Sequence, residues 1–282
     1  MTTQFPISIN KNIAIQQFNN KAIQSKKVHL NYKKYGEGLE TLIIIHGFLG
    51  SLDNWHTLAT EFSKDFTVYT LDMRNHGKSP HTESHNIKLM VNDLAEFMEQ
   101  QNIASANILG HSMGGKVAMQ FAFDYTDKVE RLIVADIAPR QYKRGHDSVI
   151  EALHAVDFTK VTKRKDAEDI MMHLVPDFGT RQFLLKNLTS AANGGYNWRV
   201  NLNVLDRDYE EIIKPIEYDG VFLKPALFLR GELSTYIKPS DELEIQEHFI
   251  YAQIETISGA GHWLHAENPK EFYEKVIRFL IK

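Results

Sequence analysis

Apolar residues recur along this chain in two rhythms. Residues 28–35 alternate, with Val28, Leu30 and Tyr32 opposing His29, Asn31 and Lys33, and read as a half-buried strand that stops at Gly36. Residues 41–45 form an uninterrupted apolar run and read as a fully buried strand. Residues 66–71, 106–109, 129–137, 226–229 and 254–257 read as further strands. Between them the period lengthens. Apolar side chains at 87, 90, 91, 94, 97 and 98 predict a helix over 87–101 with one buried face. Residues 114–125 and 269–281 read as helices too, the last with Phe272, Tyr273, Val276, Phe279 and Leu280 on one side.

Strand–helix alternation predicts an α/β architecture, a mainly parallel sheet with helices on both faces. Sheets of this class bind ligands at the carboxyl ends of their strands. The rhythm breaks between Arg140 and about Pro225, a stretch too long for a simple crossover. It reads as a mostly helical cap over the strand ends, inserted into one core domain made of residues 1–139 and 226–282. Plain helical packing is the other reading of 140–225.

Composition narrows the function. At 282 residues the chain can bury a core without disulfide or metal staples. It has no cysteine, which excludes disulfides, thiolate metal sites and a Cys nucleophile. With 32 basic and 36 acidic side chains it lacks the basic surplus of a nucleic-acid binder. Apolar runs such as Leu42-Ile43-Ile44-Ile45 are far too short to span a bilayer, and the first residues show no leader pattern. The expectations are a cytoplasmic protein with a small-molecule partner, no nucleic-acid or membrane partner, and a monomeric or homodimeric state.

The chemistry centres on Gly110-His111-Ser112-Met113-Gly114, which follows a strand and opens a helix. In that context G-x-S-x-G lifts a Ser hydroxyl above the sheet edge on a tight turn. Gly110 and Gly114 leave room for the turn, and Gly115 for helix packing. The N–H of Met113 lies at a helix N-terminus, where developing negative charge is favoured.

From about residue 28 to 282 the chain resembles the α/β-hydrolase superfamily. The resemblance implies a mainly parallel eight-stranded sheet flanked by helices, with a helical cap inserted after strand 6. His46-Gly47-Phe48 resembles the family's oxyanion loop, which implies that the Phe48 N–H acts with that of Met113. Gly259-Ala260-Gly261-His262-Trp263 resembles its histidine loop, and residues 72–79 its D-x-R-x-H-G-x-S segment. Arg74-Asn75-His76-Gly77, Asp136-Ile137-Ala138-Pro139 and Trp198-Arg199-Val200-Asn201-Leu202 are most similar to the YbfF-type esterases and thioesterases.

Ser112 needs a base, since a free hydroxyl is a weak nucleophile. His262 fits by its glycine-flanked loop and by the chain order Ser…acid…His. His265 lacks that flanking. The acid has two candidates. The usual position after the strand at 226–230 is Ser234, which cannot serve, although Glu232 is close. Asp136 ends an apolar run, where a carboxylate is costly unless paired, and the YbfF resemblance also implies an acid there. Asp136 is favoured, Glu232 is the alternative and Asp241 a more distant third.

Of the other histidines, His111 is read as structural, His46 as ordering the oxyanion loop and His76 as holding the turn after residues 66–71. His81 and His85 are four apart, but their proline-rich surroundings speak against a zinc pair. The implied activity is a serine hydrolase of small carboxylic esters or acyl thioesters such as acyl-CoA, with no cofactor or metal. Carbon–carbon bond hydrolysis, alcohol acyltransfer and non-catalytic ligand binding are the alternatives. Arg140, Lys143, Arg144 and Arg199 could meet a phosphate or carboxylate, or be solvated. Phe158, Phe178, Phe183, Leu184, Leu185, Tyr196 and Trp198 could form an acyl pocket or pack within the cap.

Overall fold

The computed structural model describes residues 27–191 and 194–281. The absence of a leader, expected from the first residues, concerns a stretch outside them. Nine strands and eleven helices follow along the described chain. The first half runs β1 (Tyr32–Tyr35), β2 (Thr41–Ile45), α1 (His56–Phe62), β3 (Thr67–Leu71), α2 (Ile87–Gln100), β4 (Ala106–His111), α3 (Met113–Asp124) and β5 (Val129–Ala135). The inserted stretch contains α4 (Asp147–His154), α5 (Arg164–Met171), α6 (Phe178–Leu184), β6 (Leu188–Ser190), β7 (Tyr196–Trp198), α7 (Leu202–Arg207) and α8 (Tyr209–Ile213). The chain then completes the core with β8 (Ala226–Gly231), α9 (Glu242–His248), β9 (Ala252–Ile257), α10 (Leu264–Glu267) and α11 (Pro269–Leu280).

Seven strands form one sheet in the order β1-β3-β2-β4-β5-β8-β9. Only β1 runs antiparallel, against β3, and the other pairings are parallel. The apolar run of β2 explains why both faces are covered. Successive strand side chains point to opposite faces. Ile43 and Ile45 pack with Met90, Leu94 and Val117 from α2 and α3. Leu42 and Ile44 pack with Leu58, Phe62, Phe272 and Val276 from α1 and α11. A strand buried on both faces has no polar positions to alternate with. Local signals set the helix ends. Asn86 caps α2 by accepting from the Leu89 N–H at 2.8 Å, and Asn268 caps α11, which begins with Pro269.

The described residues give seven sheet strands where eight were expected. Val28 and Leu30 are buried as the alternation required, but they lie outside β1, whose register with β3 covers only Tyr32–Tyr35. The inserted stretch is not purely helical, because β6 and β7 form a small antiparallel hairpin. In this numbering it follows β5. Helices α1 and α9 had no counterpart in the sequence reading.

Candidate active site

The loops leaving the carboxyl ends of β2, β4, β5 and β9 carry Phe48, Ser112, Asp136 and His262. Ser112 sits between β4 and α3 with φ +52° and ψ −118°, a conformation that costs an L-residue energy and persists only where its surroundings enforce it. The enforcement is steric. A Cβ on Gly110 would meet the Gly114 carbonyl oxygen at 2.1 Å, and one on Gly114 would meet the Ile45 oxygen at 2.4 Å. The Ser112 N–H is tied to the Ala135 carbonyl at 3.0 Å.

Ser112 Oγ lies 3.0 Å from His262 Nε2, and His262 Nδ1 lies 2.7 Å from Asp136 Oδ2. An ionised carboxylate can only accept, so the Nδ1 carries the proton and Nε2 is left to accept from the hydroxyl. Burial lowers the His262 imidazole below its ordinary value, which keeps it neutral with Nε2 free to accept. Asp136 is completely buried and follows β5 with φ +52°. Burial raises its carboxyl, and donors from Ser234 Oγ and the Gly231 N–H oppose that rise. Burial prevails and leaves the carboxyl raised to about 7, while these donors and the imidazole N–H favour its ionised form.

Ser234 thus stands where an acid was sought and donates to Asp136, the favoured candidate. Glu232, the alternative acid, is not at the imidazole. Its exposed carboxylate accepts from the Gly259 N–H at 2.7 Å. Asp241 is paired with Arg140 at 2.8 Å.

A buried set of histidines supports the loops. His46 donates from Nδ1 to the Gly47 carbonyl at 2.7 Å and accepts at Nε2 from the Met73 N–H at 3.0 Å. His76 accepts from the Leu49 N–H at 3.1 Å and donates to the Arg74 carbonyl at 3.0 Å. Both rings must be neutral to accept, and burial lowers both. These are the loop-ordering roles expected of them. His111 donates to the His262 carbonyl at 2.8 Å, and His265 stacks on Trp55 with centroids 4.3 Å apart. Tyr236 stacks on His262 itself, at 3.8 Å and 17°. Among the described residues neither the Phe48 nor the Met113 N–H has an acceptor.

Ser112 opens into a cavity of about 410 Å³. Phe48, Met113, Ile137, Tyr209 and Ile213 supply much of its apolar wall. None of the seven cap residues considered for an acyl pocket borders it. Leu184 and Leu185 are core, Trp198 packs on Phe158, Phe183 on Trp263, and Phe178 faces solvent. Phe178 and Phe183 lie on α6, Tyr196 and Trp198 on β7 and Phe158 in a turn, and none of these elements faces the cavity.

Lys116, one turn into α3, is 1% exposed. Its ammonium donates to the carbonyls of Arg140 at 2.9 Å, of Ile213 at 3.4 Å and of Lys214. Burial, with Arg140 nearby, lowers it to about 7. It therefore ties the start and the end of the inserted stretch to the helix behind Ser112. A second tie joins two of the three segments whose sequence resembles YbfF-type enzymes. Asn201 donates from its backbone to the Asn75 carbonyl at 2.9 Å and from its side chain to Asn75 Oδ1 at 3.0 Å. Asn187 donates to the Leu49 carbonyl at 2.8 Å.

Sequence reasoning missed Lys116, Ser234, Tyr236 and Asn187. For Lys116 a signal existed, a charge inside the apolar face of the helix after the nucleophile turn. Among the described residues no group of three or more His, Asp or Glu is placed to share a metal ion. His81 instead donates to the Arg199 carbonyl at 2.9 Å. No described helix is long and apolar enough to cross a membrane.

Comparison with known proteins agrees with this geometry. Residues 40–269 match the family described as "alpha/beta hydrolase fold". The chain is 39% identical over 263 residues to the sn-1-specific diacylglycerol lipase ABHD11 of Danio rerio, covering 90% of this chain and 83% of that protein. It is 35% identical over 240 residues to Esterase YbfF of Escherichia coli K12, covering 85% and 92%. The solved structure titled "Marine microorganism esterase" superposes with a TM-score of 0.88 at 43% identity, over 89% of this chain and 99% of that one.

Proposed function

The chain belongs to the α/β-hydrolase fold family, and from that premise we propose that it cleaves small carboxylic esters and acyl thioesters through an acyl-enzyme on Ser112. It is a carboxylesterase-type hydrolase, like its named relatives. The observation that carries the proposal is the unbroken line Ser112 Oγ–His262–Asp136, at 3.0 and 2.7 Å.

His262 Nε2 takes the hydroxyl proton as Ser112 Oγ attacks the acyl carbon. Asp136 holds the imidazole and stabilises the imidazolium that results. The N–H groups of Phe48 and Met113 receive the carbonyl oxygen as it gains charge, each worth about 10²–10³ in turnover. The imidazolium then protonates the leaving alcohol or thiol. Water, deprotonated by the same nitrogen, attacks the acyl-enzyme and releases the acid. Residues 140–225 serve as the cap that closes the cavity over this bond.

A fluorophosphonate probe tests the reading directly. The folded protein is expected to label at Ser112, and Ser112→Ala to lose both the label and about 10⁴-fold or more of its p-nitrophenyl ester turnover. Labelling that survives the substitution, or turnover within about tenfold of the parent, sinks the proposal. Acyl-CoA turnover measured beside the esters decides the thioester part.

A further inference from the structure

The charges around the Ser112 cavity are all of one sign. Lys116, Arg140, Lys143 and Lys238 line it, and no Asp or Glu does. The chain as a whole carries a net charge of −4, so this is a local departure and not a share of a general excess.

Two of the four cations are already occupied. The three N–H bonds of Lys116 are spent on three backbone carbonyls. Arg140 is paired with Asp241 at 2.8 Å, donates to the Gln141 and Tyr236 carbonyls, and lies over the Tyr142 ring at 4.1 Å. Lys116 has no donor left, and Arg140, its charge already paired with Asp241, keeps only two of its five N–H groups. The other two differ. Lys143 and Lys238 are exposed, and among the described residues neither ammonium has an ion-pair or hydrogen-bond partner, although their neighbours Arg140 and Arg144 are paired. Lys143 lies near the start of the inserted stretch and Lys238 in the core loop after β8, two segments held together by Arg140–Asp241 and by the stacked Tyr142 and Tyr236. Arg144 and Arg199, the remaining cations considered for this role, are spent on Asp206 at 2.9 Å and set towards Asp53 at 3.6 Å.

We propose that Lys143 and Lys238 recognise an anionic group, a carboxylate or a phosphate, on the ester or thioester that enters the cavity. The proposal rests on the hydrolase reading above and deepens it. The anion sits at the mouth while the scissile carbonyl reaches Ser112 along the apolar wall. The group belongs either to the acyl chain, as in the half-ester of a dicarboxylic acid, or to the leaving group, as in a phosphorylated thiol. Unpaired cations at a cavity mouth also raise the local concentration of an anionic substrate, and salt screens that effect.

The test compares matched pairs. The first arm sets the p-nitrophenyl half-ester of succinate against neutral p-nitrophenyl butyrate. The second sets butyryl-CoA against the butyryl thioester of N-acetylcysteamine. In Lys143→Glu/Lys238→Glu the ratio of kcat/KM for the anionic to the neutral partner is expected to fall about tenfold, through KM. Raising salt from about 0.05 to 0.5 M should lower the same ratio in the parent protein. A fall in the first arm alone assigns the anion to the acyl chain, and in the second alone to the leaving group. Ratios unchanged in both arms overturn the proposal. Absence of turnover of all four substrates in the parent protein would overturn the hydrolase reading, and this one with it.

Discussion

Strands β2, β4, β5 and β8 hide nearly every side chain, and each is hydrogen-bonded on both sides. The helices of the inserted stretch are five to eight residues long. Helices that short are marginal on their own, so they owe their form to what they dock against. They dock through an apolar cluster shared with the core, in which Ile150, Leu205, Tyr209 and Ile213 take part, and through polar ties at Lys116, the Asn75–Asn201 pair and Asn187. Bond-breaking geometry therefore rests on the rigid part, and the surroundings of the substrate rest partly on the part that can adapt. The same division separates Asp136, fixed at a strand end, from Lys143, fixed by nothing but its backbone.

Asp136→Asn strikes the rigid side and should have the largest effect. A loss of about 10²–10⁴ in kcat is expected, because an amide cannot hold the imidazole in the Nδ1–H tautomer. Glu232→Gln should lose less than about tenfold, since that side chain touches Gly259 and not the imidazole. The reverse ranking in an ester assay would move the acid to Glu232.

Lys116→Met strikes the seam between the two regions. Three carbonyls lose their shared donor, at a cost of about 1–3 kcal/mol in unfolding free energy. Activity should fall about tenfold as the cavity wall loosens. Thermal melting and kcat/KM on one preparation check both. A variant of unchanged melting temperature would show that the inserted stretch is held by its apolar contacts alone.

The smallest effect expected is in pH dependence. His85 is fully buried beside the seam, with no partner for either ring nitrogen among the described residues, and burial lowers it to about 3. The unfolded chain binds that proton near the ordinary value of about 6.5. Its stability contribution is therefore complete above pH 6.5 and shrinks as pH falls toward 3, by about 1.4 kcal/mol per unit. Between pH 7 and 5 the parent should lose about 2 kcal/mol more than His85→Leu in urea titrations. Parallel losses in the two proteins would place the acid sensitivity elsewhere.

What the sequence made legible follows the same division. The turn at Ser112, the loop at His262 and the carboxylate at a strand end were readable as candidates because each is a local pattern with a steric or electrostatic reason. Asp136 stood out as a charge in an apolar strand, and the structure explains why it can stay there. Tyr236 and Asn187 gave no such signal, and Ser234 was marked only as a place where an acid is missing. Each acts through a partner about 26 to 138 residues away, which its own neighbourhood does not disclose. The acyl-pocket candidates failed for a related reason. Aromatic residues serve packing and binding equally well, and composition does not separate the two.

The Lys116 clip also bears on the order in which the protein can be made. Its partners lie 24, 97 and 98 residues further along the chain, and the imidazole that meets Ser112 lies 150 residues on. Closing such long loops costs entropy that only the finished contacts repay. A chain emerging from its amino end therefore displays Ser112 early, while the hydroxyl is still an ordinary alcohol. The clip can close once Lys214 has emerged. The base arrives only with the last strand. Binding space is thus complete before reactivity, and a growing chain has no nucleophile with which to acylate itself.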